Sequence, residues 1–484
     1  MYIRYNTRAS LSILIFNELS IKFIEKFIVK RFFINLIKFQ AIIFVIGFVF
    51  FGYSNHAEAA VKTWDGSTSG SWSVGANWSG DTVPVTGDDL VFNGSASNLS
   101  NTNDLTENTI FNSITFSASG YTLSGNPIIL GAGLAGITDN ASSGGNTIAL
   151  DIRLDNASPI LRDIIVTNTA ETLTISGRIA GVGGFNKEGT GTLILSGANT
   201  YGGLTKINVG VINARHATSL GTFLAGTEVV GGAALELQGN ISISYEALAL
   251  RGYGVSGTGG ALRNISDNNT YGGLITLSSA GGTEIASDSG TLTLKGGTTG
   301  NAPLVFDGAG NLTFSTTPLA GSGAITKNGA GTVTYNFPNT NTGATVINAG
   351  TLLYGVDNAT MSGAITVTGG TLDIATFSDM VGTVTLGTLD LASGTITGST
   401  GVLSSGTWTV YNGTISAIIA GQAGGLAKST PGTVILTRPN LYTGGTTISA
   451  GILEIQNNTS LGVIDGITTV SGGATLQING SGLS

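Results

Sequence analysis

There is no cysteine anywhere in the 484 residues. A disulfide framework and a thiolate-held metal are therefore both excluded. Histidine is almost as scarce. His56 and His216 are the whole supply, too few for the three or four ligands of an ordinary zinc site. Charge is thin as well: charged residues make up 10% of the chain, against about 25% in ordinary domains. Residues 60–484 hold 13 basic and 25 acidic residues, a net of −12, which argues against a nucleic-acid groove with its clustered Lys and Arg. Proline numbers only 8, and glycine falls at no three-residue period, so a collagen helix is ruled out.

What the chain has instead is glycine, 75 residues of it, with an apolar fraction of 41% and a mean hydropathy of +0.31. That much apolar content disfavours disorder. It is also organised into repeats. Residues 183–214, GGFNKEGTGTLILSGANTYGGLTKINVGVINA, return in looser form at 322–355 and 423–456. Each copy has a small-residue turn, a lysine (Lys187, Lys327, Lys428), a Gly-Thr step, an alternating apolar pair, an Asn-containing turn and a second Gly-led apolar pair. The two pairs stand 19 residues apart in every copy: Leu193 to Ile212, Val333 to Leu352, Val434 to Leu453.

The step continues between the copies. Leu292, Leu312, Val333, Leu352, Leu372, Ile396, Ile415, Val434, Leu453 and Leu476 follow one another at 19 to 24 residues. Alternating strand-length runs at a period near 20, punctuated by Gly, Asn and Ser, are what a solenoid of β-coils requires, because one coil cannot bury its own inward face. The spacing predicts an all-β, single-stranded right-handed parallel β-helix. Winding residues 110–484 at about 20 per coil gives on the order of 19 coils, stacked at about 4.8 Å into a rod roughly 90 Å long.

Three segments precede or make up that rod. Residues 1–59 read as a secretory signal peptide: a basic region with Lys22, Lys26, Lys30, Arg31 and Lys38, a twelve-residue apolar run Ala41–Gly52, and an Ala57-Glu58-Ala59 processing site. Twelve apolar residues fall short of the about 20 needed to span a bilayer. Residues 60–109 carry Trp64, Trp72 and Trp78, read as an N-terminal cap over the open end of the first coil. The competing functional reading of these tryptophans is a platform for stacking sugar rings. Residues 110–484 are the helix itself.

The unit G-x-G-T-L-x-L-S-G-x-N-T-Y-x-G resembles the autotransporter-associated β-strand repeat, also called the passenger-associated transport repeat. Residues 183–214 match it almost throughout, and the Trp-Asp-Gly…Gly-Ser-Trp…Asn-Trp opening is similar to the start of such passengers. The resemblance implies a passenger exposed on, or released from, a Gram-negative-type cell, associated with the outer membrane, and serving as a stalk or adhesin toward host-surface or glycan ligands. It also implies an outer-membrane β-barrel for export, which the sequence up to Ser484 does not supply. The expectation is a truncated or split reading frame, or export with a separate partner. A β-helical polysaccharide lyase or hydrolase and a purely structural envelope or matrix protein are the alternatives.

Motifs that suggest chemistry fail on context. Gly131-Ala-Gly133-Leu-Ala-Gly136 fits a dinucleotide fingerprint, but no helical pattern follows it to face a pyrophosphate. Gly421 to Ser429 nearly spells a P-loop, and Lys428 is explained by the repeat. Ser287-Asp288-Ser289-Gly290 is similar to a serine-protease nucleophile, yet His216 is the one histidine beyond the leader and is read as a turn residue. Asp88 and Asp89 are neighbours on a strand, so they point to opposite faces and do not form the carboxylate pair of a glycosidase. No catalytic, cofactor-binding or metal-binding residue is assigned, and no cofactor is expected.

Overall fold

The structure is a computed structural model that describes residues 59–131, 135–155, 161–257, 259–360, 363–421 and 425–480. The leader reading falls on residues outside these, Ala59 excepted. From Val61 onward the chain is a parallel β-solenoid of about 17 turns. A turn lays its chain along three faces in order, and most turns place a strand on two or three of them. The first face starts at Val61–Trp64 and passes through Asp89–Phe92, Ser113–Phe116 and Phe185–Glu188. The second runs from Ser100–Asn103 through Thr192–Leu195 and Gly210–Ala214 to Thr468–Val470. The third begins at Thr109–Phe111 and ends at Thr475–Ile478.

Side chains in these strands alternate buried and exposed, the two-residue period of a pleated strand. In Thr291–Leu294, for example, Leu292 and Leu294 are buried, whereas Thr291 and Thr293 are half-buried. Inward residues of consecutive turns stack into one continuous apolar column of Leu, Ile, Val and Phe. Near the start it is aromatic. Phe92 stacks on Phe116 with ring centroids 5.4 Å apart and meets Tyr121 edge-on at 5.3 Å.

The repeat spacing appears as strand register. Leu292 pairs with Leu312, and that partner chain continues through Val333, Leu352, Leu372 and Ile396 to Ile415. One link of the sequence series differs. Ile415 pairs with Leu436, and it is Gly413 that pairs with Val434, so the register slips by two residues there. Because the slip is even, the apolar residues stay inside. Thr468 lies 368 residues after Ser100, so a turn averages about 22 residues rather than 20. The surplus sits in long turns: partners Leu235 and Leu262 are 27 residues apart, and Ile243 and Tyr271 are 28 apart.

Equal spacing does not mean equal position. Leu193 and Ile212 lie on the second face, while Val333 and Leu352 lie on the third. The lysine strand Phe185–Glu188 is on the first face, whereas Ile325–Lys327 and Leu426–Lys428 are on the second. The repeat unit has therefore advanced by one face between copies one and two. A coil tolerates this because all three faces bury the same kind of residue.

At the amino-terminal end Trp64, Trp72 and Trp78 are all fully buried. Trp64 and Trp78 pack edge-to-face at 5.0 Å, and Trp72 and Trp78 at 5.7 Å. Each indole N–H has an acceptor: Asn98 O at 2.8 Å, Asn101 Oδ1 at 2.7 Å and Trp72 O at 2.9 Å respectively for Trp64, Trp72 and Trp78. Residues 77–79 run antiparallel along the outer edge of Val61–Trp64. That covers a strand edge which has no preceding coil to pair with.

Candidate functional site

The most conspicuous polar residues of the repeats point inward. Lys187, Lys327 and Lys428 are 0%, 3% and 0% exposed. The Lys187 ammonium donates to the carbonyls of Glu188 and Gly189 at 2.8 Å each and to Val209 of the next turn at 3.2 Å. Lys327 repeats this with Gly329 and, at 3.3 Å, Ala349. Lys428 does so with Thr430 and, at 3.1 Å, Ala450. In all three the residue after the distant acceptor is a left-handed glycine: Gly210 (φ 71°), Gly350 (φ 64°) and Gly451 (φ 70°). These glycines turn the chain so that the preceding carbonyl faces the lysine. Burial pushes the Lys187 ammonium down to about 7, with Glu188 opposing, and Lys327 down to about 8.

The asparagines of the turns form a second set of ties. Asn199 Oδ1 accepts from Ile179 N at 2.8 Å, and its Nδ2 donates to Ser219 O at 2.6 Å. Asn339 joins Leu319 and Ala359 in the same way at 2.8 and 2.9 Å, and Asn440 joins Ile419 and Ser460 at 3.1 and 2.7 Å. Each amide thus bridges the turn before it and the turn after it. The backbone groups these amides reach at the corners are thereby paired, as buried polar groups usually are. Lysine and asparagine are consequently structural members, unavailable for chemistry outside the rod.

The motifs weighed from sequence disperse. Ser289 Oγ donates to Ile265 O at 3.3 Å, Asp288 is held by Arg263 Nη2 at 2.6 Å, and His216 Nδ1 accepts from Thr218 N at 3.1 Å. None of these contacts links serine to histidine. Asp88 is buried and accepts from Ala60 N and Val85 N, whereas Asp89 accepts from Ser113 Oγ at 2.6 Å. The two carboxylates hold different loops. The middle of the Gly131–Gly136 fingerprint and of the Gly421–Ser429 stretch lies outside the described residues, but Lys428 belongs to the interior set above. The sugar-stacking reading of Trp64, Trp72 and Trp78 is corrected by their burial, since no ring face reaches solvent.

One outward feature departs from the smooth rod, and sequence reasoning missed it. Phe223, Leu224 and Tyr245 are 61%, 76% and 78% exposed. Phe223 and Tyr245 line a groove of about 380 Å³ on the third face, between the turn around Thr222 and the short strand Ser242–Ile243. Tyr245 holds φ 61°, a conformation that costs a bulky side chain energy and is worth noting wherever it occurs. A usable sequence signal was the apolar pair Phe223-Leu224 set between Gly221 and Gly226, out of step with the strand alternation.

Four segments, residues 185–214, 325–353, 355–374 and 426–455, match the family described as Passenger-associated-transport-repeat. The chain carries passenger-associated transport repeats. Three of these coincide with the copies read from sequence; 355–374, around Leu372, is a fourth transport repeat that sequence reading had entered only in the spacing series. Over 392 residues, 66% of this chain, the protein is 27% identical to "Adhesin BmaC autotransporter" of Brucella suis biovar 1 (strain 1330). The chain spans about a tenth of that relative's length, the aligned part being 11% of it. No solved structure matches the repeat-bearing chain.

Proposed function

We propose that this chain is the passenger, or part of the passenger, of an autotransporter-type adhesin: a rod that carries contact surfaces outward from a Gram-negative-type cell. The observation that carries the reading is the coincidence of transport repeats with a β-solenoid whose repeat lysines and corner asparagines are spent on internal ties. A rod built this way resists unwinding locally and offers its turns and outward strand faces to partners. The relative named as an adhesin supports the same use. Export in this reading requires a leader such as residues 1–59 and an outer-membrane β-barrel, supplied on this chain's continuation or on a separate one.

The test is retention of purified, fluorescently labelled chain on host-cell monolayers and on immobilised matrix glycans. Saturable binding competed by unlabelled chain is expected. Absence of saturable binding to every surface removes the adhesive reading and leaves a structural envelope role. Release of reducing ends or unsaturated products from a polysaccharide panel moves the assignment to the enzymatic alternative.

A further inference from the structure

The groove beside Tyr245 lies at a break in the third-face ladder. On the first and second faces the two turns concerned are paired normally, Thr227–Val229 with Leu248–Leu250 and Gly210–Ala214 with Ala233–Leu237. On the third face no backbone hydrogen bond joins 220–224 to 242–246 among the described residues. Thr222 N donates backward to Tyr201 O, and Ile243 O accepts forward from Gly272 N. By the alternation of a strand, the peptide groups of Ser242 and Ser244 then face the gap without ladder partners, opposite the turn at Phe223 and Leu224. Ser242 and Ser244 are exposed, so the open edge offers backbone N–H and C=O groups that a ligand can engage in place of the missing strand contacts.

The remaining lining narrows the ligand chemistry. Thr200, Ser242 and Ser244 are exposed and their hydroxyls make no hydrogen bond among the described residues, and Thr222 Oγ1 is buried without a partner there. Glu246 is the one acidic residue of the lining, which has no basic one, and it is turned inward, with Oε1 accepting from Thr227 Oγ1 at 2.7 Å. Above this neutral floor stand Phe223 and Tyr245, with ring centroids 6.3 Å apart and planes at 66°. Exposed aromatic faces over a floor of hydroxyls and amides match a molecule with C–H faces and hydroxyl edges and no charge. An inserted peptide strand fits less well. Asn240 (φ 56°) and Tyr245 (φ 61°) turn the chain at both ends of the open edge, which leaves four extended residues, 241–244, too short for a run of ladder bonds.

We propose that the third-face groove framed by Phe223, Tyr245 and Ser242–Ser244 is a binding site for a neutral saccharide, one or two sugar units long, presented on the target surface. The inference rests on the adhesive reading above and gives it a location and a ligand class. Tyr245 supplies the stacking face, the serine hydroxyls and free peptide groups bind sugar hydroxyls, and Phe223 holds the Tyr245 ring edge-on.

The test uses the full chain on an array of neutral and sialylated oligosaccharides, with the hits titrated by calorimetry. The informative variant is Tyr245→Gly. Glycine accepts the positive φ without strain, so the fold and its melting temperature hold or improve while the stacking face is lost. Expected are selective binding to neutral glycans, a loss of at least about tenfold in affinity in Tyr245→Gly and Phe223→Ala, as removal of one ring contact implies, and full binding in Leu389→Ala, an exposed apolar residue outside the groove. Wild-type affinity in a folded Tyr245→Gly chain overturns the site, as does preference for sialylated glycans or for an extended peptide. If Tyr245→Gly chain still adheres to cells as wild type does, the groove is wrong and the adhesive reading stands. If wild-type chain adheres to nothing, the adhesive reading itself falls.

Discussion

Replacing Lys187 by methionine separates two opposing effects of a buried ammonium. Methionine keeps the apolar stem and removes the charged head. In the variant, the carbonyls of Glu188, Gly189 and Val209 lose their donor. A buried acceptor left unpaired costs about 1–3 kcal/mol, and a bond to a charged donor is worth about 1.5–3 kcal/mol. Three of them put the gross loss near 3–9 kcal/mol. Against this, burial lowers the Lys187 ammonium to about 7 from 10.5. At about 1.36 kcal/mol per unit, a lysine forced to stay charged below pH 7 costs the fold about 5 kcal/mol. The two effects nearly cancel, and the net expectation runs from about −2 to about +4 kcal/mol, centred on a destabilisation of about 1 kcal/mol. The pH dependence identifies the source. A lysine whose folded value is depressed binds its proton more weakly in the fold than in the unfolded chain, so stability rises as pH goes from about 7 toward 10.5. Wild type gains over that window; Lys187→Met lacks that gain. Thermal unfolding by far-UV circular dichroism at pH 6 and pH 9, with hydrogen exchange at residues 205–212, measures both. A Lys187→Met chain more stable than wild type at pH 6 by more than about 2 kcal/mol would refute the reasoning, because the buried charge would then be a liability that the carbonyls do not repay.

Other perturbations test the same ties. Gly210→Ala puts a Cβ 2.5 Å from Gly189 O and 2.6 Å from Gly191 O at φ 71°, and a loss of about 2–4 kcal/mol in chemical denaturation is expected from clash and left-handed strain together. Asn339→Ala removes the bonds to Leu319 N and Ala359 O; about 2–3 kcal/mol should be lost, with amide protection falling at Leu319 rather than along the whole rod. Burial raises Glu171, Glu246 and Glu284 to about 7. A raised carboxylate contributes stability fully below its unfolded value near 4.5 and loses it as pH climbs through 7, so the melting temperature should fall across that window. Glu246→Gln should flatten the fall, and an unchanged slope counts against it.

Much of the fold was legible because winding writes itself into spacing. The partners of Leu292, Leu312, Val333, Leu352 and Leu372 are the residues that the period picks out. Which face a unit occupies was not legible. All three faces ask for the same alternation, so nothing in Leu193 against Val333 distinguishes second from third. The slip at Ile415 was hidden for a related reason, since a shift of two residues leaves the burial pattern intact. The lysines could be aligned, but their role depends on carbonyls two residues ahead and one turn away, which no side-chain pattern announces. The tryptophans left two readings open because an indole stacks equally well on a core or on a sugar; only the acceptors found by the three N–H groups decide it. Of the groove, only the misplaced apolar pair Phe223-Leu224 shows in the sequence; the positive φ of Tyr245 that shapes its other side leaves no mark in composition.

The lysine and its glycine stand 23 residues apart in all three copies: Lys187 and Gly210, Lys327 and Gly350, Lys428 and Gly451. That interval acts as a ruler. Evolution can lengthen the corners around residues 235–271 and decorate them, as the 27- and 28-residue turns show, but an insertion between a lysine and its glycine would carry the receiving carbonyl out of reach. Variation in loop length among descendants of this chain should therefore collect in the stretches between rulers, and those stretches are where new surface can be tried without unwinding the rod.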